Sequence, residues 1–99
     1  MAQINVYCVS ANPEDDPQKF RVEVESDDGS KTNHEVTLNN ELYIRLTGGI
    51  KSMEELIKYS FNFLLDKEPK ESILPTFDIS EIKKYFPEFE QVIAMQLAK

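Results

Sequence analysis

The sequence predicts an α+β fold, in which a three-stranded antiparallel sheet is followed by three or four helices that pack on one of its faces. Residues 3–9, 19–26 and 31–38 alternate between apolar and polar side chains. This period of two is typical of a half-solvated antiparallel sheet. From residue 39 onward, apolar residues instead recur at helical spacing behind residues that favour helix caps.

Each predicted strand carries one apolar face, and its other face is expected to contact solvent. The residues that share the apolar faces are Ile4, Val6 and Cys8, then Phe20, Val22 and Val24, then His34, Val36 and Leu38. Residues 10–18 between the first two strands contain two prolines and three acidic residues, which predicts an exposed loop. The pattern allows the first strand to pair beside either the second or the third.

The turn of the second hairpin decides its register. A two-residue turn at residues 28–29 would set inward-facing residues of one strand against outward-facing residues of the other. A three-residue loop over 27–29 avoids this conflict, because Val22 then faces His34. The same loop places a glycine at its third position, which requires a left-handed conformation. We therefore predict the three-residue loop.

A long central helix is predicted to begin after Ser52 and to end at about residue 67. Ser52 and Glu55 have the spacing of a capping box, and Glu68-Pro69 disfavours a further turn. Apolar residues cover roughly two-thirds of the helix circumference. They are Met53, Leu56, Ile57, Tyr59, Phe61, Phe63, Leu64 and Leu65, with Ser60 among them. Such a helix must pack on more than one neighbour, so we expect it between the sheet and the later helices.

Shorter helices are predicted before and after the central one. Asn39 or Asn40 can cap a helix over 41–46 that ends at a glycine pair. Asp78 opens a second short helix at capping-box spacing, and Pro87 suits the first turn of a last helix. The apolar residues of the last two helices are Ile79, Ile82 and Phe86, then Phe89, Val92, Ile93 and Leu97.

Length and cysteine usage indicate the class of protein. The chain has 99 residues, which fits one domain over 1–99, β-rich at 1–38 and helical at 39–99. It has one cysteine, no signal-peptide pattern and no long apolar run. These features predict a cytoplasmic protein without a membrane span.

The charge of the chain limits its partners. Eleven Lys and Arg residues against 18 Asp and Glu residues give a formal net charge of −7. This acidity argues against a nucleic-acid or anionic-membrane partner, because both require clustered basic residues. A nucleic-acid site would have to gather Lys19, Arg21 and Lys31 against the negative field of the chain.

Motifs in the second half of the chain form a recognisable pattern. Residues 60–74 read S-F-x-F-L-L-x-x-E-P-x-x-S-I-L, and residues 85–90 read Y-F-P-E-F-E. Residues 32–36 add T-x-H-x-V, and residues 77–79 add F-D-I. In these motifs the chain resembles a family of small uncharacterised prokaryotic proteins, which implies a bacterial or archaeal origin. The family has no known activity, cofactor or partner, so the resemblance assigns no functional residue.

Few residues are candidates for catalysis or metal binding. His34 is the only histidine and a weak candidate for a catalytic base. On an inward face, however, it is expected to be a structural residue that hydrogen-bonds to the backbone or to a helix. Cys8 lies on an apolar face without a basic neighbour, so we expect an inert core thiol. One histidine and one cysteine make no metal motif, and no metal or cofactor is predicted.

The aromatic segment 85–90 has two interpretations. Tyr85, Phe86, Pro87 and Phe89 can form an exposed anchor for a protein partner. The same residues can instead form the hinge at which two helices fold back and fill the core, which is the more usual role of such a cluster.

These observations favour a small, acidic, non-enzymatic protein-interaction or regulatory module that binds a protein partner or a second copy of itself. The preference comes from elimination, since no nucleophile set, metal cluster, phosphate loop or basic patch is found. The alternative is a small enzyme or ligand-binding domain that uses His34 with Glu35, Tyr7 or Tyr43. A nucleic-acid binder is the least favoured of the three.

Overall fold

The computed structural model describes residues 2–97; residues 1, 98 and 99, which the predicted domain limits include, lie outside the described residues. The strands are β1 (Gln3–Cys8), β2 (Gln18–Glu25), β3 (Lys31–Leu38) and β4 (Thr76–Asp78). The α-helices are α1 (Asn40–Thr47), α2 (Met53–Lys67), α3 (Ile82–Tyr85) and α4 (Phe89–Leu97). Two short 3₁₀-helices, Lys70–Ser72 and Ile79–Glu81, precede β4 and α3.

The α+β class is confirmed, but the prediction of three strands is wrong by one. The sheet has four strands in the order β1-β2-β3-β4, and β1 therefore pairs beside β2. The first three strands are antiparallel, whereas β4 runs parallel to β3. Only three residues make up β4, which is too short for a period of two to be seen in the sequence.

The predicted register of the β2–β3 hairpin is confirmed. Val22 lies opposite His34, and the loop closes through a hydrogen bond of 2.9 Å from the Ser26 N–H to the Ser30 carbonyl. Gly29 has a φ of 87°, the left-handed conformation that the third loop position requires. The inward-facing residues of β2 and β3 are buried while their neighbours along each strand contact solvent. One face of the sheet is thus covered.

The predicted caps set the limits of the first two helices. The Asn39 side chain accepts a hydrogen bond of 2.7 Å from the Leu42 N–H, and Gly48 ends α1 with a left-handed φ of 65°. The Ser52 hydroxyl accepts a hydrogen bond of 3.1 Å from the Glu55 N–H at the start of α2. Asn39 and Ser52 therefore set the starts of α1 and α2, because their side-chain oxygens accept hydrogen bonds from backbone N–H groups that have no partner within the helix.

Helix α2 packs on two sides, as predicted from its wide apolar surface. Toward the sheet, the Phe61 ring lies 5.4 Å from the His34 ring and 5.9 Å from the Phe77 ring. Toward the later helices, the Phe63 ring meets the Phe86 and Phe89 rings edge-on, at 5.8 and 5.3 Å. Phe61 is fully buried and Phe63 is 5% exposed. The helix thus joins the sheet layer to the helical layer.

The prediction that Cys8 is a core thiol is wrong. Its side chain is exposed, although it shares the strand face of Ile4 and Val6. Those two residues are themselves only half-buried, because β1 is the outer strand of the sheet. Alternation identifies the face of a strand, but it does not show how far the helices cover that face.

Phe61→Ala tests the central position of α2. We expect this substitution to lower the free energy of unfolding by about 3–5 kcal/mol, because it empties a fully buried site between the sheet and the helix. Ile50→Ala is the control: Ile50 is 86% exposed, and its loss should change stability by less than about 0.5 kcal/mol. Urea denaturation of both variants measures the difference, and similar values would contradict the described packing.

Candidate functional site

His34 is buried, and both of its ring nitrogens are engaged within the protein. The side chain is 3% exposed. Its Nδ1 lies 2.8 Å from the Leu74 carbonyl oxygen, and its Nε2 lies 2.8 Å from the Thr32 hydroxyl. Because a carbonyl only accepts, Nδ1 donates to Leu74, and in the neutral ring Nε2 then accepts from Thr32. The structural role expected for His34 is what this geometry supports, since neither nitrogen faces solvent.

The residues proposed to act with His34 lie elsewhere. Glu35 is on the opposite face of the strand, where it pairs with Lys19 at 3.2 Å. The Tyr7 ring stacks under the Arg21 guanidinium at 4.9 Å. The Tyr43 hydroxyl donates a hydrogen bond of 2.5 Å to the Lys51 carbonyl. Among the residues that the structure describes, none of these three side chains is therefore placed to act with the histidine.

An apolar groove lies beside the segment that covers His34. Its volume is about 380 Å³, and it is formed by the end of α2, the connection over 68–77 and the region of α3. The residues that line it are Leu64, Glu68, Ser72, Ile73, Leu74, Phe77, Glu81, Ile82, Tyr85 and Phe86. The Leu74 and Tyr85 side chains are 46% and 66% exposed, so two large side chains of the groove already face solvent.

Within residues 2–97, the charged residues that line the groove are both acidic, namely Glu68 and Glu81. Two lysines nearby in the chain pair with carboxylates outside the lining: Lys67 with Glu88 at 3.3 Å, and Lys83 with Glu90 at 3.6 Å. The lining of the groove is therefore mostly apolar and carries two acidic side chains.

The predicted interaction segment contributes to the groove with only part of its residues. Tyr85 and Phe86 line the groove, while Pro87 is exposed beside it. Phe89 is 1% exposed and belongs to the hydrophobic core. The two interpretations of this segment thus apply to different residues: Phe89 fills the core, and Tyr85 faces solvent.

A second cluster, which the sequence does not indicate, surrounds a buried lysine. The Lys70 side chain is 7% exposed, and its ammonium group donates to the Ser30 hydroxyl at 2.7 Å. The Ser30 hydroxyl in turn lies 2.7 Å from a carboxylate oxygen of Asp28. Glu71 completes the cluster with an ion pair of 2.6 Å to Lys70. Lys70 and Ser30 are forty positions apart in the chain, so no local pattern relates them.

The lysine cluster is arranged as an anchor. A Ser–Lys nucleophile pair requires a lysine that accepts the serine proton. Here the ammonium group of Lys70 forms an ion pair with Glu71, and the Ser30 hydroxyl donates a hydrogen bond to the Asp28 carboxylate. The cluster connects the β2–β3 turn to the 3₁₀-helix that leads into the groove wall at Ile73.

Two carboxyl groups of the cluster have lowered pKa values. Hydrogen bonds from the Ser30 hydroxyl, then from the Ser30 N–H, hold the pKa of Asp28 below its ordinary value of 3.8, and the Lys70 charge adds to this effect. The hydrogen bond from Lys70 holds the pKa of Glu71 below its ordinary value of 4.5. Each group therefore stabilises the fold above its ordinary pKa, and this contribution is lost as the pH falls.

Over residues 2–97, no three His, Cys, Asp or Glu side chains are grouped as metal ligands would be. Lys19 and Arg21 lie on the open face of the sheet, where Glu35 is opposite Arg21 and forms an ion pair with Lys19, and Glu23 is the next residue of β2 on the same face. None of the helices in the described part of the chain is both long enough and apolar enough to cross a membrane.

Comparison with known proteins gives no relative from which a function could be transferred. No protein-family model, curated protein or solved structure matches the chain. The resemblance to small uncharacterised prokaryotic proteins stays a prediction.

His34→Ala distinguishes a structural histidine from a functional one. We expect it to lower the free energy of unfolding by about 2–4 kcal/mol, because it leaves a cavity and a buried Leu74 carbonyl without its donor. Asn33→Ala, at the exposed neighbouring position, should change stability by less than about 0.5 kcal/mol. Thermal and urea unfolding measure both effects. Unchanged stability of His34→Ala would contradict the structural role.

Lys70→Met tests the anchor through its pH dependence. In the wild type, the lowered pKa values of Asp28 and Glu71 add stability above their ordinary values of 3.8 and 4.5. Methionine removes the hydrogen bond and charge of Lys70, which act mainly on Glu71, because the pKa of Asp28 is lowered first by its hydrogen bonds from Ser30. The variant should therefore lose less stability between about pH 5 and pH 3, chiefly through Glu71. Lys58→Met, on an exposed position of α2, is the control. Equal pH profiles for the wild type and Lys70→Met would overturn this assignment.

Proposed function

We propose that the chain is a small, acidic, non-enzymatic protein-interaction module whose groove binds a basic, amphipathic segment of a partner protein. The observation that carries this proposal is the combination of an apolar groove, solvent-facing Leu74 and Tyr85 side chains, and acidic residues as the only charges among the lining residues. We further propose a cytoplasmic location, which the free, exposed thiol of Cys8 supports.

The size and form of the groove favour side chains of a partner over an enclosed small molecule. Small-molecule sites have volumes of about 300–1,000 Å³ and bury most of their ligand. The groove lies near the lower limit of this range at about 380 Å³. Tyr85 and Leu74 project to solvent beside it, and exposed aromatic residues next to an apolar pocket are typical binding hot spots.

The charge of the groove selects the chemistry of the partner. Glu68 and Glu81 are half-buried, and a Lys or Arg of a partner would meet them in a partly desolvated setting. The whole chain carries −7, so a basic segment is also attracted at longer range. An apolar stripe on the same segment would fill the groove. A partner with both features is an amphipathic segment with basic flanks.

The first experiment uses two synthetic helical peptides with the same leucine stripe, one flanked by lysines and the other by glutamates. We expect the lysine peptide to bind in isothermal titration calorimetry and its affinity to fall as salt is added. The glutamate peptide should bind at least about tenfold more weakly. Equal affinity of the two peptides would show that the charge of the groove does not select its partner.

Variants of the protein locate the binding site. Tyr85→Ala should weaken binding of the lysine peptide by at least about 1–2 kcal/mol, because it removes a solvent-facing aromatic contact. Met95→Ala is the matched control, since Met95 is 64% exposed and lies on α4 outside the groove. Glu81→Gln should reduce the salt dependence, whereas Glu14→Gln in the β1–β2 loop should not. Unchanged binding by Tyr85→Ala would place the interaction elsewhere.

A further inference from the structure

Over residues 2–97, no strand pairs with the outer backbone edge of β1. β1 is the outer strand of the sheet and runs over Gln3–Cys8 in continuous antiparallel register with β2. The hydrogen bonds of an antiparallel pair alternate along the strand, and the bond of 2.8 Å from the Val9 N–H to the Lys19 carbonyl sets their phase. Odd-numbered residues therefore bond to β2. The N–H and C=O groups of Ile4 and Val6 point away from the sheet.

This edge lacks the features that protect exposed strands. Soluble proteins protect their edges with short strands, prolines, charged side chains or bulges. At the opposite edge, β4 has only three residues, follows Pro75 and ends at Asp78. In contrast, β1 has six residues, none of which is charged or a proline, and its register has no break. An edge of this kind is a template for another strand.

We propose that β1 pairs with β1 of a second copy of this chain, antiparallel about a twofold axis, so that two four-stranded sheets join into one. Each copy carries −7, and two acidic chains approach at least cost where neither presents a charge. The six consecutive uncharged residues of β1 provide such a surface, and they offer a basic partner no carboxylate with which to form an ion pair. The antiparallel arrangement is self-complementary, because both strands offer the same donors and acceptors.

Side-chain alternation limits the register of this pair. Opposed residues of an antiparallel pair share a face, and the half-buried Ile4 and Val6 therefore have to face apolar residues of the second copy. Three registers satisfy this condition: Ile4 faces Val6, Val6 faces its own equivalent, or Ile4 faces its own equivalent with Val6 opposite Ala2. In each register Asn5 lies on or next to the twofold axis, on the solvent-facing side of the sheet. The surface is separate from the groove, and the proposal does not depend on the proposed function.

A matched pair of substitutions tests the interface. Asn5 and Asn33 lie on either side of Glu23, on the strands that flank β2. Lysine at either position can therefore pair with the same glutamate, which preserves the fold. Only Asn5→Lys places two like charges beside the axis, and it should raise the dimer dissociation constant at least about tenfold in analytical ultracentrifugation. Asn33→Lys should sediment as the wild type does.

Hydrogen exchange gives an independent measurement on the same samples. In the dimer, the Ile4 and Val6 amides are hydrogen-bonded and should exchange slowly, and dilution should release them. The Asn5 and Tyr7 amides bond to β2 and should stay protected at every concentration. A wild-type chain that remains monomeric up to about 1 mM, or equal effects of the two lysine substitutions, would overturn the proposal. Tyr85→Ala should leave the dimer intact, so a loss of peptide binding at the groove can be distinguished from a loss of dimerisation through β1.

Discussion

Burial on two sides of α2 is the constraint on which the other elements depend. Phe61 faces the sheet and contacts His34 and Phe77, whereas Phe63 faces the helices and contacts Phe86 and Phe89. A helix with a single apolar stripe can lie on the surface of a sheet. A helix that is apolar on two sides requires a second layer, and the later helices supply it.

The connection over 68–77 forms one wall of the groove beside α2. It returns the chain beside β3, where the Pro75 carbonyl accepts a hydrogen bond of 2.8 Å from the Glu35 N–H. The Leu74 carbonyl engages His34, and Lys70 holds the start of the segment to the hairpin turn. These contacts fix one wall of the groove through His34, Glu35 and Lys70, which are not among the residues that line it. The histidine and the lysine therefore act on the groove by positioning its wall.

The two proposed interaction surfaces lie at opposite edges of the sheet and differ in charge. The groove includes Phe77 of β4 and is flanked by acidic residues, which favours a basic partner. The edge of β1 is uncharged, which favours a copy of the same acidic chain. Because β1 and β4 are separated by two strands, one molecule can use both surfaces together.

The sequence by itself determined the features that depend on near neighbours along the chain. Alternation and turn chemistry specified the β2–β3 register, capping residues specified the starts of α1 and α2, and the wide apolar surface of α2 indicated its central position. Only the tertiary structure decided that β4 joins the sheet, that Lys70 meets Ser30, that Cys8 is exposed and that Tyr85 lines a groove. Each of these features depends on contacts between segments that are distant in the chain. Such contacts produce no periodicity or motif spacing that can be read from the sequence.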